Sequence, residues 1–317
     1  MRVGVCGLGL IGGSVVQGLA DTVHEVFAFD PDPAVLASAE RWAVPVASAE
    51  DLRDCDLVVA AVPFDRLDEV LSLFTEDVFS GIVTDTGSVK EAPLRTMRGR
   101  ARYVGSHPMA GKEVAGWDSA EPGLFRDRPW VVGLEEDTPL DDWEAVARVA
   151  VDLGARVVPV DAAAHDAAVA RVSHVEHLLA AAVMHLVKDD PLALSLGAGS
   201  FRDATRVAAS SPQLFDGMVR GNMKHLSGAL GGVANGLGSI AGMLFDDMTA
   251  YTGRLTGWFT EAHEARSAWP PEPGEGERMD LSFEALRELG IQGGWVEAIE
   301  GKKVAAVRRP RIKSTYE

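Results

Sequence analysis

Residues 105–116 read GSHPMAGKEVAG, and within them one imidazole, His107, is followed directly by Pro108. Imidazole exchanges its proton near neutral pH, so a histidine held in place is the first candidate for a general base. A proline restricts the residue before it to extended backbone, which would fix the His107 main chain. Upstream, TDTGSVKEAP (84–93) puts Ser88 between a strand-like and a helix-like run. Its hydroxyl either caps that helix or faces a substrate or neighbouring base. Downstream, HDAAVARVSHVEH (165–177) carries His165, His174 and His177. The last two share a helix face at i, i+3 spacing. No metal is expected there, because H-E-x-x-H is missing and Glu176 is out of place for it. Imidazoles presented toward a substrate anion are the preferred reading. Arg202 and Arg206, four apart, either bind a carboxylate through the guanidinium fork or pair with acids such as Asp203 and Asp216.

A second constellation lies at the start of the chain. VGVCGLGLIGGS (3–14) holds Gly7, Gly9 and Gly12 in G-x-G-x-x-G spacing, with Leu10 and Ile11 inside the loop. The first glycine allows a tight turn after a strand, the second lets a pyrophosphate approach the backbone, and the third lets helix and strand pack closely. The helix N-terminus supplies an anion site. Asp30, at the end of the next strand-like run, either accepts hydrogen bonds from the adenosine ribose, caps a helix ahead of Pro31, or does both. No arginine follows it to take a 2′-phosphate, so NAD is expected as cofactor. AAVPFD (60–65) ends another strand-like run with Val62 and Pro63, which either line the ligand crevice or only terminate the strand.

The elements that must position these groups follow from hydrophobic periodicity. Residues 1–160 alternate β-rich runs (2–6, 25–29, 56–62, 81–85, 102–106, 129–133, 155–160) with helix-like stretches. That alternation predicts an α/β Rossmann-type dinucleotide-binding domain built on a largely parallel sheet. From 161 to 265 β-rich runs vanish and apolar residues recur at helical spacing, predicting an all-α substrate and dimerisation domain. LSGALGGVANGLGSIAGML (226–244) either lets helices approach closely in an intertwined interface or forms a loosely packed helix. Residues 266–317 read as a Pro/Gly/Glu linker, a short helix and a hairpin.

The chain has 317 residues, long enough for two cores, and a formal net charge of −17. Such acidity argues against nucleic acid and anionic membranes as partners, and an anionic small substrate would need a local cluster of cations. The two cysteines, Cys6 and Cys55, fit buried reduced thiols better than a disulfide. No signal peptide and no apolar run of membrane-spanning length are expected, so the reading is of a soluble cytoplasmic protein.

Taken together, GLGLIGGS (7–14), DTGSVK (85–90), GSHPMAGKEVAG, HDAAVARVSHVEH and FRDATRVAASSPQLF (201–215) occur in an order that resembles the prephenate/arogenate dehydrogenase family of tyrosine biosynthesis. The resemblance implies a Rossmann-type domain, a helical domain that forms a homodimer, and NAD-dependent oxidative decarboxylation of prephenate to 4-hydroxyphenylpyruvate. Within it, His107 would accept the proton of the ring hydroxyl and Ser88 would bond both to that hydroxyl and to His107. His177 and His174 would line the substrate site, Arg206 would hold a substrate carboxylate, and Glu113 would form a gate with it. Lys112 stands where many relatives have Thr, and Phe215 where Trp is common. The lysine would favour an oxo-acid side chain or pair with Glu113. Arogenate and 4-amino-4-deoxyprephenate are the alternative substrates. A β-hydroxyacid-type dehydrogenase would need a catalytic lysine, for which Lys188 and Lys224 are the candidates, and a non-catalytic NAD sensor would not need His107, Ser88 and Arg206 together.

Overall fold

The structure, a computed structural model, describes residues 1–112, 114–246, 248–301 and 304–310. Glu113, expected as a gate residue, lies outside the described residues.

The first sheet is parallel. It consists of β1 (Arg2–Cys6), β2 (Glu25–Phe29), β3 (Val44–Pro45), β4 (Leu57–Ala60), β5 (Ile82–Asp85) and β6 (Arg102–Tyr103), in the order β3-β2-β1-β4-β5-β6. β4 and β5 are buried at every residue, as strands covered on both faces must be. The connecting helices are α1 (Leu10–Leu19), α2 (Pro33–Ala39), α3 (Phe64–Leu71) and α4 (Glu91–Met97). Strand order reverses between β1 and β4, which opens a ligand crevice at their carboxyl ends. Cys6 and Cys55 are buried free thiols; burial is the main reason that they are pushed up to about 12 and about 11.

The strand expected over 102–106 is split. After β6 the chain leaves the first sheet and re-enters as β7 (Ser106–Pro108), the edge of a second one. The join is made of glycine: Gly133 N–H donates to Gly105 O at 2.8 Å, and a Cβ on Gly133 would lie 3.0 Å from that oxygen. The second sheet continues with β8 (Pro129–Gly133) and β9 (Arg156–Val160), parallel to each other and linked by α5 (Leu140–Asp152), whose Trp143 and Val146 are buried. Thus the strands at 129–133 and 155–160 do not extend the first sheet. Strand propensity reports burial, not which neighbour a strand will take.

The helical half comprises α6 (Ala162–Val169), a π turn (Ala170–His174), α7 (Val175–Val187), α8 (Pro191–Ser195), α9 (Gly199–Thr205), α10 (Pro212–Gly221), α11 (Met223–Asp246) and α12 (Met248–Ser267). The run 162–187 is long and apolar enough, by composition, to cross a membrane, contrary to the expectation that no run would be. It also carries buried His165, Asp166 and His174, groups that hydrocarbon would not solvate. Two glycines bring the halves together: a Cβ on Gly217 would meet the Phe64 side chain, and one on Gly221 would meet Val89.

The tail folds back. β10 (Glu277–Asp280), α13 (Phe283–Ile291), β11 (Trp295–Glu300) and β12 (Val304–Arg308) complete the second sheet in the order β10-β12-β11-β9-β8-β7. The stretch WPPEPGEGER (269–278), read as the linker, therefore ends in strand, since β10 takes in 277 and 278. A Cβ on Gly290 would lie 1.7 Å from Pro159 O, so α13 rests directly on β9.

Candidate active site

The glycine loop forms a cradle. Gly7 has φ +93°, a left-handed conformation that favours glycine, and a Cβ there would meet Ala61 O at 2.5 Å. A Cβ on Gly12 would lie 1.9 Å from Gly7 O, so α1 packs against the loop backbone as only glycine permits. Gly9 differs: nothing lies within 4 Å of where its Cβ would be. Gly9 is the N-cap of α1 and makes no side-chain cap, and no acid occupies the first turn, which leaves that end of the dipole for an anion. Leu10 and Ile11 are half-buried there. Asp30, just past β2, accepts from Leu8 N–H at 2.8 Å through Oδ2 and from Asp32 N–H at 2.9 Å through Oδ1. Its carboxylate is thereby tied to the loop, where the ribose of a dinucleotide would lie. Asp32, not Asp30, caps α2. Pro63 is the N-cap of α3, and Val62 packs beside Gly7. These residues fit a nicotinamide dinucleotide.

From the end of β5 a buried polar cluster reaches across to the second sheet. Lys90 is 2% exposed, yet it is charged-residue chemistry in a core. Its ammonium donates to Asp85 Oδ1 and, at 2.7 Å, to Ser106 O. Asp85 also accepts from Tyr103 OH and, at 2.7 Å, from Gly87 N–H. Ser106 Oγ donates to Asp85 O at 2.7 Å. Burial pulls the Lys90 ammonium below its ordinary range, against the pull of Asp85. The consequence is mechanical: β7, with His107 at its centre, is fastened to the carboxyl end of β5.

His107 does not stand alone. Its Nδ1 lies 2.9 Å from His165 Nε2, and His165 Nδ1 lies 2.8 Å from Asp166 Oδ1. Asp166 is held in turn: Lys90 N–H donates to Oδ1 at 2.8 Å, Glu91 N–H to Oδ2 at 2.9 Å, and Asn222 Nδ2 to its main-chain oxygen at 2.7 Å. Ser88 is half-buried between Gly87 and Val89, and among the described residues it makes no hydrogen bond to His107. His165 was visible in the sequence as one of three histidines, whereas Asp166 and Lys90 carried no signal beyond their place inside the motifs.

The π turn explains how one helical run serves the site from several positions. In an unbroken α-helix His177 would lie about 120° around from His165; the extra residue of a π turn takes back about 100° and leaves about 20°. His177 is half-buried and meets the Phe215 ring edge-on at 5.2 Å. His174 is buried, with Nδ1 3.2 Å from Asn222 Nδ2 and Nε2 without a partner among the described residues. Arg202 and Arg206 do not share one α-helix: α9 ends at Thr205, and Arg206 opens a 3-10 turn (206–209) that packs on α7. Arg202 pairs loosely with its neighbour Asp203 at 3.6 Å, and Arg206 is exposed. Lys112 pairs with Glu121 at 2.8 Å at the rim of a hollow of about 310 Å³ that Arg126 and Arg128 also line.

Burial holds His107, His165 and His174 neutral. It drives His107 well below 6.5, with His165, Lys90 and His174 adding to the effect. Burial likewise lowers His165, against Asp166, and brings His174 to about 4. Asp166 goes the other way from what its burial alone would give: the donors from His165, Glu91 and Lys90 keep it below its ordinary value, and so ionised. A buried histidine that resists protonation makes folding weaker once the unfolded chain can take the proton. Stability is therefore full above 6.5 and is lost as pH falls from there toward about 4. Thermal melts across that window should show a falling Tm; a flat Tm would mean that the three imidazoles are already protonated in the fold.

Comparison with known proteins places this geometry. Residues 20–159 match the model of the prephenate dehydrogenase nucleotide-binding domain, and residues 161–257 that of the prephenate dehydrogenase dimerization domain. A cyclohexadienyl dehydrogenase of Zymomonas mobilis is 31% identical over 239 residues, which span 70% of this chain and 80% of that enzyme. A prephenate dehydrogenase of Lactococcus lactis is 28% identical over 236 residues, 70% of this chain and 65% of its own length. In fold, the chain resembles the Aquifex aeolicus prephenate dehydrogenase solved with hydroxyphenyl propionate and NAD+, with a TM-score of 0.75, 23% identity, and coverage of 84% of this chain and 97% of that one. The two family matches together run from residue 20 to 257, through the β-strands past the glycine cradle, His107 on β7 and the helical half, and the chain belongs to the prephenate dehydrogenase family.

Proposed function

We propose that the protein is an NAD-dependent prephenate dehydrogenase, converting prephenate to 4-hydroxyphenylpyruvate and CO2. The observation that carries this reading is His107: a neutral imidazole, half-buried at the crevice end of β7, whose Nδ1 is committed to His165 while Nε2 has no partner among the described residues. A nicotinamide dinucleotide held by the glycine loop and Asp30 would supply the hydride acceptor for the ring carbon that bears the hydroxyl. His107 takes the hydroxyl proton, and the ring carboxylate leaves as CO2 as its bonding pair enters the ring and makes it aromatic. Aromatisation supplies much of the driving force, so the protein chiefly orients the reactants. Ser88 bonds to the same hydroxyl, His174 and His177 line the ring, and Arg206 receives a carboxylate, gated by Glu113. The substrate is a dianion: Arg206 offsets the acidic field of the chain locally, and the neutral imidazoles serve as hydrogen-bond partners.

NAD is favoured because Asp30 and Asp32 stand together beyond β2 and would repel a 2′-phosphate. Prephenate is favoured over arogenate because its side chain brings no ammonium toward Lys112. The protein acts as a homodimer through α11, where Leu230, Leu237 and Leu244 are exposed among glycines. The test is a side-by-side assay of prephenate and arogenate, each with NAD and NADP. The highest kcat/KM should fall to prephenate with NAD; preference for arogenate or for NADP would overturn the finer assignment. Arg206→Gln should raise KM for prephenate about tenfold to a hundredfold with kcat little changed, the size of a lost charged hydrogen bond. An unchanged KM would mean that another cation holds the carboxylate.

A further inference from the structure

We infer that His165 and Asp166 are positioning residues that lock His107 in one tautomer, with its proton on Nδ1 and the Nε2 lone pair presented to the substrate. The inference rests on the reading of His107 as the proton acceptor and deepens it. The chain of hydrogen bonds runs in one direction only. Asp166 is a carboxylate whose two oxygens already accept the N–H groups of Lys90 and Glu91. It can therefore only accept from His165, which must carry its proton on Nδ1. A neutral His165 then has a bare Nε2, and a bare Nε2 at 2.9 Å from His107 Nδ1 requires a proton on the latter. The remaining nitrogen of His107 is left as the acceptor.

The same chain disposes of the proton that is taken up. As the substrate hydroxyl gives its proton to His107 Nε2, the Nδ1 proton of His107 can pass to His165 Nε2. The positive charge then rests on His165, against the Asp166 carboxylate, and His107 stays neutral. No proton is created or lost: one enters at Nε2, one leaves at Nδ1, and Asp166 remains ionised. The fold is built to hold this arrangement. Asp161 caps α6 through Ala164 N–H at 2.8 Å, Glu135 accepts Ala162 N–H at 2.7 Å, and Asn222 fastens the Asp166 main chain. These contacts fix the first turn of the helix that carries His165, and leave the relay no freedom to slide.

The direct test is nitrogen-15 NMR of the histidine rings in the wild-type protein with cofactor, at a pH where the rings are neutral. His107 should show a pyrrole-type Nδ1 and a pyridine-type Nε2. His107 found with its proton on Nε2 would overturn the inference. The second arm is kinetic. His165→Leu removes the acceptor of the Nδ1 proton and should lower kcat about 10²-fold while His107 becomes a mixture of tautomers. His165→Gln, whose amide offers a donor and an acceptor, should recover part of kcat and the single tautomer. Equal kcat and an unchanged His107 spectrum in the Leu variant would contradict a positioning role. The spectrum does not depend on turnover, so a protein with the expected tautomer but no activity on either cyclohexadienyl acid would sink the functional reading and leave the relay standing. If the Leu variant does not fold, the wild-type spectrum alone decides.

Discussion

His107→Asn should lower kcat by roughly two to four orders of magnitude while the affinity for NAD stays within about twofold of wild type. The amide of Asn can still donate toward His165 Nε2, which is 2.9 Å from the ring nitrogen it replaces, so β7 and the relay behind it keep their places. What is lost is a group able to take a proton near neutral pH. Hydride departure from a carbinol carbon becomes harder as its oxygen keeps the proton, so the chemical step should carry the whole loss. Steady-state kinetics with a cofactor titration separate the two quantities. A kcat near wild type would remove His107 from the mechanism, and a collapse of NAD affinity would instead assign it to cofactor binding.

Lys90→Met should cost about 3–5 kcal/mol of unfolding free energy, the usual result of removing one partner of a buried charge pair. Asp85 would keep Tyr103 OH and Gly87 N–H but face the core as an uncompensated carboxylate, and Ser106 O would lose its ammonium donor. The cost is one of desolvation more than of lost attraction. Lys90→Met combined with Asp85→Asn should therefore recover a good part of the stability, although each change alone destabilises. Chemical denaturation of the three variants checks it. A single variant as stable as wild type would show that Lys90 and Asp85 are not the clamp between the sheets. Activity should fall with stability here, because β7 is tied to β5 through this cluster.

How much of this was legible in the sequence depends on the range of the interaction. The glycine loop obeys a local rule: the turn at Gly7 and the near-contact of Gly12 with Gly7 O follow from spacing alone. The two halves of the chain were also legible, since hydrophobic period changes near residue 161. His107 stood out through Pro108 and its place after a strand-like run, but its partners did not. His165 lies 58 residues away, and nothing in the sequence says which of three histidines will reach it. Asp166 reads as one more acid at the start of an apolar helix. Lys90 breaks the expectation that lysines stay outside, and only the fold shows the carboxylate that admits it. The π turn is hidden for a related reason. Helical periodicity is read as 3.6 residues per turn, so one inserted residue shifts every later position, and the spacing that pairs His174 with His177 gives no sign of where either stands relative to His165. The second sheet escaped because strand 102–106 had to break at Gly105, a backbone contact with Gly133 that no pattern of side chains announces.

If one site carries out both oxidation and decarboxylation on a cyclohexadienyl acid, NADH and CO2 followed together while purified protein turns over prephenate should appear in equal amounts, with 4-hydroxyphenylpyruvate as the product. No reduction of NAD by prephenate or arogenate, or NADH without CO2, would show that the site does not do this.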